Sequence, residues 1–181
     1  DQFDAAVFIS TNAATLGMKS VDSYWPQFPQ QLKSYALGPS TAQVLQSYGL
    51  KPIFPKGAMT SEALLAMPQL KAIEGQKILI FQGVGGRELL AQELQGRGAL
   101  VERVEIYQRR CPEYTQQDLQ KSLENSPDAI VVTSAEALDN LIQLFGQIWP
   151  ELFKVKLLVS SSRLREIANE RGFNLVIEMS G

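Results

Sequence analysis

The sequence predicts an α/β protein made of two flavodoxin-like parallel-sheet lobes joined by a two-stranded linker. Three observations lead there. Short apolar runs rich in Val and Ile alternate with stretches of helical periodicity. That alternation implies parallel strands covered by helices on both faces. "DAAVFISTNAATL" (4–16) resembles "DAIVVTSAEALDN" (128–140), an offset of 124 residues from 4 to 128 that sets Ser10 on Ser134. "ALGPSTAQVLQSYGLKPI" (36–53) resembles "VSSSRLREIANERGFNLV" (159–176), an offset of 123 from 36 to 159 that sets Gly49 on Gly172. Two such features in one order imply a duplicated unit and hence two lobes. The plainer alternative is that all βα units look alike. The break falls near "YQRRCPEY" (107–114), a basic, proline-containing stretch after a long strand pattern.

Taken in order, "AAVFI" (5–9), "SYAL" (34–37), "KPIF" (51–54), "KILIF" (77–81) and "LVERVEIY" (100–107) read as strands. "AIVVT" (129–133), "KLLV" (156–159) and "NLVI" (174–177) read the same way. A helix starts near Thr41, with Ala42, Leu45 and Tyr48 on one face, and another near Arg87, with Leu90 and Leu94 four apart. "TQQDLQKSL" begins a third, where Thr115 and Asp118 form a capping box with Asp in place of Glu. Gly17, Gly49, Gly98 and Gly172 are read as closing helices.

Composition narrows the chemistry. The chain has 181 residues, is 45% hydrophobic and 20% charged, and carries a net charge of −2. That balance gives no broad nucleic-acid footprint. No apolar run approaches the roughly 20 residues of a membrane span. Cys111 is the single cysteine, which excludes an internal disulfide. With no secretory signal visible, it points to a reducing, cytoplasmic compartment. There is no histidine. Ser-His and Cys-His catalysis are therefore excluded, and no metal site is expected.

Ligands of open parallel sheets bind where strands end and helices begin. Five such junctions are polar: "STNA" (10–13), "GPST" (38–41), "GVGGR" (83–87), "TSAE" (133–136) and "SSSR" (160–163). Gly83, Gly85 and Gly86 are followed by Glu88 where a dinucleotide fingerprint needs its third glycine, and the lysine of a P-loop is absent. The glycines still expose N–H groups at a helix start, which suit an anion. Each junction also reads as plain N-capping, for which Ser and Thr are good residues. Together the five can line one cleft that holds a large polyanion. Arg87, Arg109, Arg110, Arg163 and Lys56 are the candidate charges, with solvated surface as the alternative.

"VFISTNAA", "ALGPSTAQVLQSYGL", "MTSEALL" and "FQGVGGRELLAQELQGRGALVERVEIYQR" occur in an order and spacing that resemble the uroporphyrinogen-III synthase family. The longest, a Gly-Gly-Arg helix leading through a Gly to a strand ending Val-x-x-Tyr, is the most specific. The resemblance implies a cytoplasmic monomeric lyase that closes hydroxymethylbilane into a ring. It inverts the last pyrrole and releases water, without metal or organic cofactor. It implies that 1–103 form most of one lobe, 104–112 a linker strand and 113–181 part of the other. The family's opening strand and final helix have no counterpart here, so the chain reads as truncated at both ends. The implied substrate contacts are Ser10, Thr11 and Asn12; Gly38, Ser40 and Thr41; Gly85, Gly86 and Arg87; and Ser134 and Ala135. The position equivalent to Thr41 falls near Leu164, so Ser161, Ser162 or Arg163 takes over that contact. Tyr107, ending the long strand, is the candidate donor to the departing hydroxyl, or else a packing aromatic. The substrate comes from the preceding pathway enzyme. The rival readings are a two-lobed binding module without catalysis and a nucleotide-binding enzyme.

Overall fold

A computed structural model describes residues 2–24, 29, 31–86, 88–124 and 127–179. The chain divides into two compact units, Asp1–Arg109 and Arg110–Gly181. The first unit contains β1 (Ala5–Phe8), α1 (Thr11–Tyr24), β2 (Lys33–Ala36), α2 (Pro39–Ser47), α3 (Ser61–Leu65), β3 (Lys77–Gly83), α4 (Leu89–Gly96) and β4 (Leu100–Tyr107). The second contains α5 (Gln116–Ser122), β5 (Ala129–Val132), α6 (Ala135–Phe145), β6 (Lys156–Val159), α7 (Ser162–Glu170) and β7 (Val176–Glu178). All named strands pair in parallel, in the orders β2-β1-β3-β4 and β5-β6-β7. This is a mixed α/β protein with two separate parallel sheets.

The first sheet is a buried parallel sheet because its central strand is apolar on both faces. Alternate residues of β1 feed different cores, as a period of two requires. Ala5 and Val7 pack with Ile78, Ile80, Leu64, Leu90 and Leu94 beneath α3 and α4. Ala6 and Phe8 pack with Ala13, Met18, Leu45 and Phe81 beneath α1 and α2. Complete burial of each large aliphatic or aromatic side chain contributes about 1.5–3 kcal/mol. The second unit has its own core of Val132, Leu138, Leu152, Leu157, Val159, Leu164, Ala168 and Phe173. Across its sheet Val131, Leu158 and Ile177 lie in register, and Val131 and Ile177 are exposed.

The stretch β1-α1-β2-α2 of the first unit and the stretch β5-α6-β6-α7 of the second trace the same path. Ala5 pairs with Lys33 as Ala129 pairs with Lys156, and Phe8 with Ala36 as Val132 with Val159. Ser10 and Ser134 cap α1 and α6 in one way, accepting from Ala13 N–H at 3.0 Å and Ala137 N–H at 3.1 Å. The expected strand "KPIF" is a single parallel bridge, Tyr35 to Ile53. Pro52 and Pro55 flank that bridge and offer no N–H to a longer ladder.

Gly49, Gly98 and Gly172 follow helices at φ of 81°, 84° and 96°. Gly17 does not close a helix; it lies inside α1. A Cβ there would sit 2.9 Å from Phe81 Cδ1 and 3.2 Å from Phe8 Cε1. Those two rings stack, with centroids 4.6 Å apart and planes at 2°. Gly17 is there to let the helix approach the stack. The capping box at Thr115 is present: Asp118 N–H donates to Thr115 Oγ1 at 3.2 Å, and Thr115 N–H donates to Asp118 Oδ2 at 3.3 Å.

Candidate functional site

In the first sheet the chain leaves β1 for β2 on one side and later returns to place β3 on the other. Helix α1, after β1, and helix α4, after β3, therefore start from neighbouring strands and cover opposite faces. Such a reversal of strand order opens a crevice at the carboxyl ends, between β1 and β3. Three sequence candidates meet at that point: Ser10 after β1, the glycine turn after β3, and Tyr107 at the end of β4.

The hydroxyls of Ser10 and Tyr107 lie 3.1 Å apart and share a hydrogen bond. A register shift at Gln82/Gly83 sets this up. Gln82 pairs with Glu105, but Gly83 pairs with Tyr107, so β4 carries one extra residue. A bulge re-aims the side chain beside it. Here it lays the phenol ring over Gly83, where a Cβ would meet Tyr107 Cε2 and Cζ at 2.8 Å. Ser10 Oγ is anchored by the Ala13 N–H it caps.

The glycine turn is less open than the sequence suggests. Val84 N–H donates to the Tyr107 carbonyl at 2.8 Å and Gly86 N–H to the Gly83 carbonyl at 3.1 Å. Gly85 N–H donates to Glu105 Oε1 at a long 3.4 Å. The expected free donors are thus engaged, because a turn that closes a bulged pair uses its own N–H groups. The helix expected from Arg87 is α4, which begins at Leu89; Arg87 itself lies outside the described residues. No side chain caps α4 or α2. Gly38, before α2, is extended and buried against Met59. Ser40 is exposed in the first turn of α2, whereas Thr41 is only 5% exposed. Thr11 and Asn12 are exposed in the first turn of α1.

In the second unit a cavity of about 280 Å³ opens between the starts of α6 and α7. Thr133, Ser134, Ala135, Ser161 and Arg163 line it, above Leu164 and Ile167. Ser134 and Ser161 cap their helices there; Ser161 Oγ accepts from Leu164 N–H at 3.3 Å. Ser162 points elsewhere, donating to Glu178 Oε1 at 2.9 Å. A cavity of about 340 Å³ in the first unit lies at the other end of its sheet, where β3 and β4 begin, away from every candidate residue. Burial raises the phenol pKa of Tyr35, which belongs to the core and not to the crevice. Gln82 escaped the sequence reading, and Gly83, read there as part of the glycine turn, serves instead as the ring's platform. A polar Gln ending the apolar run "KILIF" was the available signal.

Each of the two units is an α/β unit built on a parallel sheet with polar strand-to-helix loops, the class of fold whose ligands are held at strand ends. The chain belongs to the uroporphyrinogen-III synthase family: the family model described as uroporphyrinogen-III synthase HemD matches residues 1–180. It is 37% identical over 156 residues to the uroporphyrinogen-III synthase of Escherichia coli K12, covering 84% of this chain and 62% of that protein. It is 38% identical over 153 residues to that of Salmonella typhimurium LT2, covering 82% of this chain and 61% of the relative. The chain thus spans about three fifths of the length of these relatives. Among solved structures, it resembles uroporphyrinogen-III synthetase from Helicobacter pylori 26695 at a TM-score of 0.65 and 16% identity, covering 97% of this chain and 76% of that one. A mutant uroporphyrinogen III synthase from Thermus thermophilus gives 0.58 at 18% identity, with 98% and 72% covered. At these identities the likeness is one of fold. Among the described residues no helix is long and apolar enough to cross a membrane.

Proposed function

We propose that the protein is a uroporphyrinogen-III synthase, cyclising hydroxymethylbilane with inversion of the last pyrrole ring and loss of water. The observation that carries this reading is the 3.1 Å contact between Ser10 and Tyr107 at the strand-order reversal. Ser10 Oγ already accepts from Ala13 N–H and still has its own hydrogen to donate to the phenol oxygen. The phenol hydrogen is then free for the substrate's departing hydroxyl. As the carbon–oxygen bond breaks, its electron pair leaves with the oxygen, and the pyrrole nitrogen's lone pair supplies the azafulvene. The substituted carbon of the last ring attacks that electrophile to give a spiro intermediate. Its older bond to the neighbouring methylene then breaks, and that methylene re-bonds to the ring's unsubstituted α-carbon, which gives up its proton. Most of this chemistry is positioning.

The uncapped starts of α2 and α4, and the loops at 133–136 and 160–163, are assigned to the substrate's carboxylates. Ser10, Thr11, Asn12, Ser40, Gly85, Gly86 and Arg87 would serve in the first unit, and Ser134, Ala135, Ser161 and Arg163 in the second. Gly38 and Thr41, being buried, would shape the start of α2. The protein acts as a cytoplasmic monomer that receives its substrate from the preceding pathway enzyme, with no organic cofactor.

The test is incubation of the full-length protein with hydroxymethylbilane and separation of the product isomers. Isomer III is expected; spontaneous isomer I alone would sink the reading and leave a binding module. Tyr107→Phe keeps the ring and loses the donor, so the rate of isomer-III formation should fall by about 10²–10⁴-fold, the usual range for general-acid help. An unchanged rate would remove Tyr107 from the mechanism.

A further inference from the structure

The end of β3 hides a donor that has no partner among the described residues. Gln82 is 2% exposed, and its Nε2 is buried with no hydrogen-bond partner among the described residues. An unmet buried polar group is costly, so a side chain that only filled this space would do better as a hydrocarbon. The amide lies against Gly86: a Cβ there would stand 3.2 Å from Gln82 Cδ and 3.3 Å from Nε2. The donor is therefore directed at the underside of the turn that leads into α4. That helix starts without a side-chain cap, and a helix start favours anions.

The turn already holds one carboxylate, loosely. Gly85 N–H reaches Glu105 Oε1 at 3.4 Å, a long and weak contact. The other carboxylate nearby, Glu88, is engaged elsewhere, by Arg103 at 3.4 Å and by Gln92 Nε2 at 3.1 Å. Gly85 stands at φ of 72°, a conformation natural to glycine, so the turn can re-form around it without side-chain strain.

We infer that Gln82 is a substrate-binding residue whose Nε2 donates to a substrate carboxylate, as that carboxylate displaces Glu105 from the glycine turn. The inference rests on the proposed function for the polycarboxylate's identity. Glu105 is then an internal stand-in that keeps the turn closed until substrate arrives. An orphan buried amide is tolerated because its partner comes with the ligand.

Gln82→Met in the full-length protein keeps the length of the side chain and removes the donor. We expect KM for hydroxymethylbilane to rise about tenfold, the loss of one hydrogen bond to a charged group. The kcat should stay within about twofold, since the contact is not at the reacting carbon. The melting temperature should hold or rise, which a purely structural amide would also allow, so the KM decides. A variant with wild-type KM overturns the inference. A second readout covers a wild type that makes no isomer III and a variant that does not fold. It follows the ¹⁵N side-chain amide resonance of Gln82 in the wild type during titration with uroporphyrin III. A resonance that shifts to saturation supports the carboxylate contact; one that stays put while other signals saturate overturns it.

Discussion

Two hydroxyls and one missing side chain make the centre of the crevice. The phenol of Tyr107 can reach Ser10 only because nothing projects from Gly83. Gly83→Ala should push the ring off its platform, since the added carbon would sit 2.8 Å from two ring atoms. We expect the isomer-III rate to fall nearly as far as in Tyr107→Phe, while stability drops by only about 1–2 kcal/mol, the usual cost of overpacking. The Gly83→Ala, Tyr107→Phe double variant should be hardly slower than either single one, because both remove the same contact. Additive losses would place Gly83 in some other role. The sequence made Ser10 and Tyr107 legible because strand ends and helix caps are local patterns. It hid their meeting, which depends on a one-residue register shift between β3 and β4. Nothing in "KILIFQG" or "VERVEIYQ" taken alone encodes which residue the bulge skips.

At the scale of elements, α4 is tied down from its far end. Arg97, just past the helix, donates from one guanidinium nitrogen to the carbonyls of Leu65 at 2.6 Å and Leu70 at 2.8 Å. Those carbonyls end α3 and the short turn after it, where helix geometry leaves acceptors unmet. Arg97→Met should cost the first unit about 2–3 kcal/mol, read as a lower urea midpoint, because it strips a charged donor from acceptors that stay partly buried. Removing Glu93, which stands 4.0 Å away on the surface, should change little. Elements whose causes are local were read well: β4 has the expected bounds, Leu100–Tyr107, and the capping box at Thr115 is where the spacing put it. Those set by neighbours were not. A glycine in a helical pattern signals a stop, yet Gly17 sits mid-helix because two phenylalanine rings need the room. The run "KPIF" has strand composition but shrinks to one bridge between prolines.

For the whole molecule, the duplication visible in the sequence reappears as matched geometry. The strand pairs β1–β2 and β5–β6 have the same length, direction and starting lysine: Ala5 faces Lys33, and Ala129 faces Lys156. A chain that carries one pairing pattern twice has four ways to satisfy it, and two are wrong. While folding, β1 can dock beside β6, or β5 beside β2, and complete a ladder almost as good as the native one. Such near-degenerate pairings are the traps of chains with repeated units. Refolding from urea should therefore show a slow phase that prolyl isomerase does not accelerate. If the enzyme accelerates every slow phase, the chain's nine prolines account for them and the trap is absent. The likeness of the two halves thus leaves the native state intact but blurs the route to it: each half competes, for a time, for the other's strand.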